Sequence, residues 1–335
     1  MREYVPAIGP KSAKIMIVGE APGAEEVRKG EPFVGSSGQL LDSMLSDVGI
    51  RREDCFITNA CKRRPPGNDI KVWFPTKTAA KADGIQPMWG RYPKAQVIEG
   101  VNELHDEIRS VQPNVILALG DTALWATTSE SGITKWRGSV MPHRALGVEP
   151  QTKVIPTYHP AAIMRQWGWR AVALHDLTRA KGESEFPQIR RPEYDFKVRP
   201  SVDEILERLS WISDKLDQGP MKLSVDLETR GGHIACIGIA WSKRAAICIP
   251  FMCVERAEGY FDTPDTEFVV IRAILAVICH KNARIVGQNF LYDAQYITLY
   301  WGEICNVSMD TMIAHHVCWP GLPKGLDFLS SIYCE

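Results

Sequence analysis

The chain has 335 residues, enough for two domains with separate hydrophobic cores. With 45% hydrophobic and 24% charged residues it has the composition of a folded globular protein, which excludes a disordered or fibrous chain. The net charge of -1 leaves a nucleic-acid partner open but requires that any such contact come from local patches. Nine cysteines at irregular positions, with no C-x-x-C pair, read as reduced thiols in a cytoplasmic protein. The N-terminus has no signal-peptide core. The most apolar helix candidate, Phe268–Cys279, is broken by Arg272 and too short to span a bilayer, so no membrane partner is expected.

Strand-like and helix-like runs alternate through the first half. Lys14–Gly19 reads as a buried strand, Ser37–Leu45 as a helix, Cys55–Thr58 as a second strand and Val97–Val111 as an amphipathic helix. A third strand, Val115–Leu119, precedes a short helix that Asp121 is placed to cap. A fourth, Val154–Thr157, precedes a helix over Ala161–Lys181. This alternation predicts an α/β fold with a parallel sheet covered on both faces, whose ligands sit at the carboxyl ends of the strands. A polar, proline-containing stretch, Gly182–Pro200, reads as a linker, and Ser201–Glu204 as a capping box opening a helix. Strands at Lys222–Glu228, Ile234–Trp241, Ala245–Pro250 and Arg284–Gly287 follow, with helices at Asp265–His280, Phe290–Trp301 and from Asp310. The expected domains are 1–185, a linker and connecting helix at 186–218, and 219–335.

Three segments of the first half carry chemistry. They are Gly19-Glu-Ala-Pro-Gly23 leading into Gly30-Glu-Pro-Phe-Val-Gly-Ser-Ser-Gly-Gln-Leu-Leu41, then Thr58-Asn-Ala-Cys-Lys-Arg-Arg-Pro-Pro-Gly67, then Pro156-Thr-Tyr-His-Pro160. Glycine-rich turns let backbone approach a ligand closely. Phe33 offers an aromatic face for a flipped base, and Asn59 has a donor and an acceptor for a pyrimidine edge. His159 has a hydrogen bond to give to an oxygen that gains charge as a base departs, and Glu20 is suited to orienting a water.

In this order the motifs resemble the uracil-DNA glycosylase superfamily, closest to its family-4 type, over roughly Lys14–Arg179. The resemblance implies an α/β/α sandwich acting on uracil-containing DNA, with Phe33 stacking on uracil, Asn59 reading its edge, His159 stabilising the departing anion and Glu20 placing water. It puts Glu26 near the 5-carbon of the base, and Ala161–Arg165 in the loop that presses into the minor groove. Lys62, Arg64 and Arg165 are the expected DNA contacts, and the basic stretch Lys62–Lys94, with Trp73, Phe74, Trp89 and Tyr92, reads equally as a surface for phosphates and unpaired bases or as a solvated loop. The family's iron–sulfur cluster is expected to be absent: only Cys55 and Cys61 lie in this half, and Arg63 stands where the family often has Cys. The inserted segment Lys71–Tyr92 is a candidate brace in its place.

In the second half Asp226 and Glu228 lie two apart on a strand, so they share a face, and Asn289 and Asp293 share the start of a helix. Asp226, Glu228 and Asp293 are candidate ligands for Mg²⁺ or Mn²⁺. With Asp310–Val317 and Pro320–Leu329 the pattern resembles the 3′–5′ exonuclease domain of phage-type family-A DNA polymerases, on a ribonuclease H-like fold that acts on DNA 3′ ends. That family's third motif, a Tyr or His with a final Asp, is not found before Glu335, so a partial exonuclease domain and a polymerase region beyond it are expected, in a bacterial or phage-infected cell. The leading functional expectation is a uracil-DNA glycosylase tethered to a proofreading polymerase module. A catalytically weak uracil-sensing or DNA-gripping module, and a metal-dependent exonuclease, are the alternatives.

Overall fold

The computed structural model describes residues 4–144, 152–190 and 192–334. The first three residues, read above for a signal segment, lie outside them. The chain divides into two compact units, Met1–Arg190 with Asp327–Glu335, and Arg191–Leu326.

The first unit is built on a five-stranded sheet of order β2-β1-β3-β5-β4. Its strands are β1 (Ile15–Gly19), β2 (Cys55–Asn59), β3 (Val115–Leu119), β4 (Met141–Pro142) and β5 (Lys153–Thr157). All pairings are parallel except the short edge strand β4. The four long strands are buried at every residue, as expected of a sheet covered on both faces. The helices are α1 (Ala24–Lys29), α2 (Ser36–Asp47), α3 (Lys77–Ala82), α4 (Ala95–Val111), α5 (Asp121–Thr128), α6 (Ile133–Trp136), α7 (Pro160–Arg165) and α8 (Trp169–Glu183). The long amphipathic α4 buries Val97, Val101, Leu104 and Ile108 at helical spacing, which is why its periodicity was legible.

Two local expectations need correction. The run after β5 is two helices, interrupted at 166–168, rather than one. Asp121 does not cap α5, whose N-cap is Gly120; one of its oxygens instead accepts from the Gly132 and Ile133 amides, at 2.6 and 3.1 Å.

The second unit is a mixed six-stranded sheet of order β11-β10-β7-β8-β9-β6. Its strands are β6 (Asp195–Val198), β7 (Met221–Arg230), β8 (His233–Ser242), β9 (Ala245–Pro250), β10 (Ala283–Gly287) and β11 (Val307–Asp310). β7, β8 and β9 form an antiparallel meander, and β10 and β11 extend it in parallel. This is the α/β layout expected for this half. Helices α9 (Val202–Gln218), α10 (Pro264–Ile278), α11 (Leu291–Trp301) and α12 (Thr311–Cys318) accompany it. The capping box at α9 forms: the Ser201 hydroxyl accepts from the Glu204 amide, and the Glu204 carboxylate accepts from the Ser201 amide. The stretch read as a linker contributes β6, and nearly all of the last helix, α13 (Leu326–Tyr333), groups with the first unit. No helix among the described residues is long and apolar enough to cross a membrane.

The first unit closes around a buried charge pair. Arg137 and Asp176 are both almost fully inaccessible, and Arg137 Nε donates to Asp176 Oδ2 at 2.9 Å. Thr157 at the end of β5 donates to the same oxygen at 2.7 Å, and Arg137 also reaches the Ser331 hydroxyl at 2.6 Å. Removing one partner strands a buried charge. Asp176→Ala should therefore destabilise the first unit by about 3–5 kcal/mol in urea unfolding of the full chain, whereas replacing both residues by leucine should cost far less. A loss in Asp176→Ala no larger than that in the double variant would overturn this.

Candidate base-binding site

The parallel register sets four loops at one edge of the first sheet. Gly19 pairs with Asn59, and the Gly120 amide donates to the Thr157 carbonyl at 2.8 Å. Glu20, Asn59, Gly120 and His159 thus emerge together at the carboxyl ends of β1, β2, β3 and β5. They line one cavity of about 400 Å³ with Glu26, Phe33, Tyr158 and Arg165. A larger cavity, about 540 Å³, lies at the opposite, amino ends of β1 and β2. It holds none of the expected site residues.

Phe33 is buried, and its backbone is in the left-handed region (φ 55°). Three contacts hold it there. Glu26 accepts from the Gly23, Val34 and Gly35 amides at 3.1, 3.0 and 2.9 Å, clamping the turn on both sides of the ring. Arg52, paired with Asp42, donates to the Pro32 and Phe33 carbonyls. Gly38 lies so close beneath that a Cβ there would stand 2.0 Å from the Phe33 carbonyl oxygen. The Phe33 ring sits 5.9 Å from the His159 ring, tilted by 31°. Asn59 is 5% exposed, and among the described residues its carboxamide has no hydrogen-bond partner. On the cavity wall that carboxamide is free to pair with a ligand.

His159 is the N-cap of α7, and its Nδ1 accepts from the Ala161 amide at 3.2 Å. The neutral ring therefore carries its proton on Nε2. Burial, aided by the charge of Arg165, pushes its pKa down to about 4, so the imidazole is neutral at physiological pH. Burial pushes the Glu20 carboxyl up, opposed by a hydrogen bond from Thr122 Oγ1 (2.6 Å) and by the charge of Arg91.

The uracil DNA glycosylase superfamily is matched over residues 6–178. The chain belongs to that superfamily. The Type-4 uracil-DNA glycosylase of Archaeoglobus fulgidus is 37% identical over 171 residues, covering 48% of this chain and 72% of that protein. The Type-4 enzyme of Thermotoga maritima is 38% identical over 177 residues, 52% of this chain and 79% of that protein. A DNA polymerase of Bacillus phage SP01 is 29% identical over 170 residues, 50% of this chain and 16% of the polymerase.

Within this glycosylase-superfamily unit the structure brings together Glu20, Glu26, Phe33, Asn59, His159 and Arg165. It does not bring Lys62 or Arg64 to the cavity. Lys62 is 3% exposed and bound to Thr58 Oγ1 at 2.5 Å and Glu107 at 2.6 Å, so its expected role as a phosphate contact is corrected to that of a buried structural cation. The Arg64 Nε is buried with no hydrogen-bond partner among the described residues. The aromatic residues expected to meet unpaired bases are also core: Trp73 is buried, and Phe74 and Trp89 pack on Trp125 at 5.3 Å each. Glu26 lines the cavity, but both its oxygens are committed to backbone amides. The sequence reading missed Thr122, Asp121 and Arg91 around Glu20. It also missed Trp169, which stacks on Tyr158 at 4.3 Å, and Trp167, left 61% exposed beside Arg165. Only Trp167-Gly-Trp169, shortly after His159 in the chain, carried a sequence signal.

In the second unit Asp226 and Glu228 are exposed on one face of β7. Asp293 is buried and accepts from the Leu227 amide, between them, at 2.7 Å. Burial, reinforced by those two neighbours, pushes Asp293 up to about 6. Asp310 accepts from the Asn289, Phe290 and Met312 amides. Among the described residues no group of three or more His, Cys, Asp or Glu stands where it could hold a metal ion. Of the expected Mg²⁺ or Mn²⁺ ligands, Asp226 and Glu228 share a face of β7, and Asp293 at the start of α11 has one oxygen committed to the Leu227 amide.

Gly19 tests the site most directly. A Cβ there would fall 2.4 Å from both Asn59 Oδ1 and Phe33 Cζ. Gly19→Ala should lower binding of the ligand that the cavity takes by about a hundredfold, as both contacts are displaced together, while leaving thermal stability close to that of the parent. Unchanged binding would mean that Phe33 and Asn59 do not act from these positions.

Proposed function

We propose that the first unit hydrolyses the N-glycosidic bond of uracil in DNA. The observation that carries this reading is the convergence of Phe33, an unpaired Asn59, a neutral His159 and Glu20 on one cavity in a chain of the uracil DNA glycosylase superfamily. An extruded uracil stacks on Phe33, and its adjacent carbonyl and N–H groups meet the Asn59 carboxamide. As the bond from C1′ to N1 breaks, its electron pair passes to the base. The His159 Nε2–H donates to the carbonyl oxygen that gains the charge. Glu20, a carboxylate fixed by Thr122, orients the water whose oxygen bonds C1′ and accepts the proton that this water loses. The exposed Met164, Arg165 and Trp167, at the rim, fill the space the base vacates.

The unit works without an iron–sulfur cluster in this reading. Cys55 opens β2 and Cys61 lies two residues past its end, and burial pushes both thiols up to about 12. Physical linkage to a polymerase module rests on the similarity to the phage polymerase alone.

The test is release of uracil from an oligonucleotide, read as alkali-labile sites. His159→Ala and Asn59→Ala should each slow release by about two to three orders of magnitude. The acid limb of kcat/KM should report Glu20. With its pKa raised, the required carboxylate is lost as pH falls through a value above the ordinary carboxylate range, while His159 stays neutral down to about 4. Glu20→Gln should remove that limb. Tight, selective binding of uracil-containing DNA without release would favour a sensing module instead.

A further inference from the structure

We propose that Arg91 is a positioning residue for one wall of this cavity: its guanidinium, set against Phe74 and Trp125, bridges Asp121 and Ser131 and so locks the loop that carries Ile133 and Thr134, while placing positive charge behind Glu20. The kinetic consequences rest on the glycosylase reading; the structural ones do not.

Arg91 comes from the segment inserted between β2 and α4, and it is delivered by a rigid turn. Met88 and Arg91 exchange both backbone hydrogen bonds, at 2.8 and 3.0 Å, around Trp89 and Gly90, whose φ values are 48° and 77°. Positive φ at both central residues is the type I′ geometry, and a tryptophan holds it only under tight packing. That packing is present: the Trp89 carbonyl accepts from Trp125 Nε1 at 3.1 Å, and the two rings meet edge to face. From this turn the guanidinium reaches 5.5 Å from the Phe74 ring centre and 5.6 Å from that of Trp125.

Its polar contacts all lead to the cavity wall. Nη2 donates to Asp121 Oδ2, and Nε and Nη2 donate to Ser131 Oγ at 3.1 and 2.9 Å. The other Asp121 oxygen accepts from the Gly132 and Ile133 amides. Asp121, Ile133 and Thr134 line the same cavity as Asn59 and Phe33. Arg91 thus divides Asp121 cleanly: one oxygen faces the insertion, the other the loop. The charged and titratable groups around Glu20 are Arg91, Asp121, Asp69 and Cys61, and Arg91 alone of the three charged ones favours the Glu20 carboxylate. Without Arg91, the charge of Asp121 would bear on Glu20 uncompensated.

The experiment compares full-length Arg91→Met and Arg91→Lys with the parent, first by hydrogen exchange. Arg91→Met should exchange about tenfold faster over 131–134, with α4 unchanged, and Arg91→Lys should recover most of the protection. Where uracil is released, the acid limb of kcat/KM should move to higher pH in Arg91→Met and return in Arg91→Lys. Exchange over 131–134 equal to that of the parent overturns the proposal, and so does equal acceleration in α4, since Arg91 would then support the fold in general. A parent chain that releases no uracil, with the exchange pattern as expected, would leave Arg91's structural role standing and remove the glycosylase reading instead.

Discussion

The cavity depends on the missing side chain at Gly19. Phe33 and Asn59 approach that α-carbon so closely that any Cβ would overlap both, and the parallel register of β1 and β2 is what sets Asn59 directly beside it. The aromatic ring and the carboxamide therefore owe their spacing to backbone, not to each other. Phe33 must also adopt a left-handed conformation to reach this place, and Glu26, Arg52 and Gly38 hold it there. Strain of this kind persists when surrounding contacts over-determine it, and here they all converge on one ring.

The same unit places several charges where solvent cannot reach. Lys62 with Glu107, Arg137 with Asp176, and Lys153 with Glu183 are each paired across elements distant in sequence. Such pairs contribute little net stability, since desolvation offsets their attraction, yet each fixes a relative position that apolar contacts alone leave free to slide. Lys62 joins the end of β2 to α4. Asp176 joins α8 to the end of β5, next to His159. The loops at the cavity are thus anchored from behind by polar links of defined geometry.

The four long strands of the first unit were legible because fully buried parallel strands read as continuous apolar runs, and the cavity residues because they follow those runs within well-marked turns. The failures share a cause. Whether Lys62 points to water or to Glu107 is decided by a helix 45 residues away. The same holds for Phe74 and Trp89, whose partner Trp125 lies on α5. A basic and aromatic stretch looks alike whether it meets a ligand or a core, and local sequence does not separate the two. Nor did Asp121 announce itself: its residue type fits a helix cap, but Gly120 takes that position and frees the carboxylate to tie the loop at Gly132.

Both units commit carboxylates to backbone amides. In the first, Glu26 and Asp121 are spent on backbone amides, and that leaves Glu20, bound only by a hydroxyl, as the carboxylate available to a ligand. In the second, Asp293 and Asp310 are likewise drawn to amides, at Leu227 and at Asn289 and Phe290, while Asp226 and Glu228 remain side by side on β7. Each of that pair raises the cost of charge on Asp293. In the second unit the Leu227 amide thus holds Asp293 close to Asp226 and Glu228, whereas in the first unit amides take up Glu26 and Asp121 and Glu20 faces the cavity.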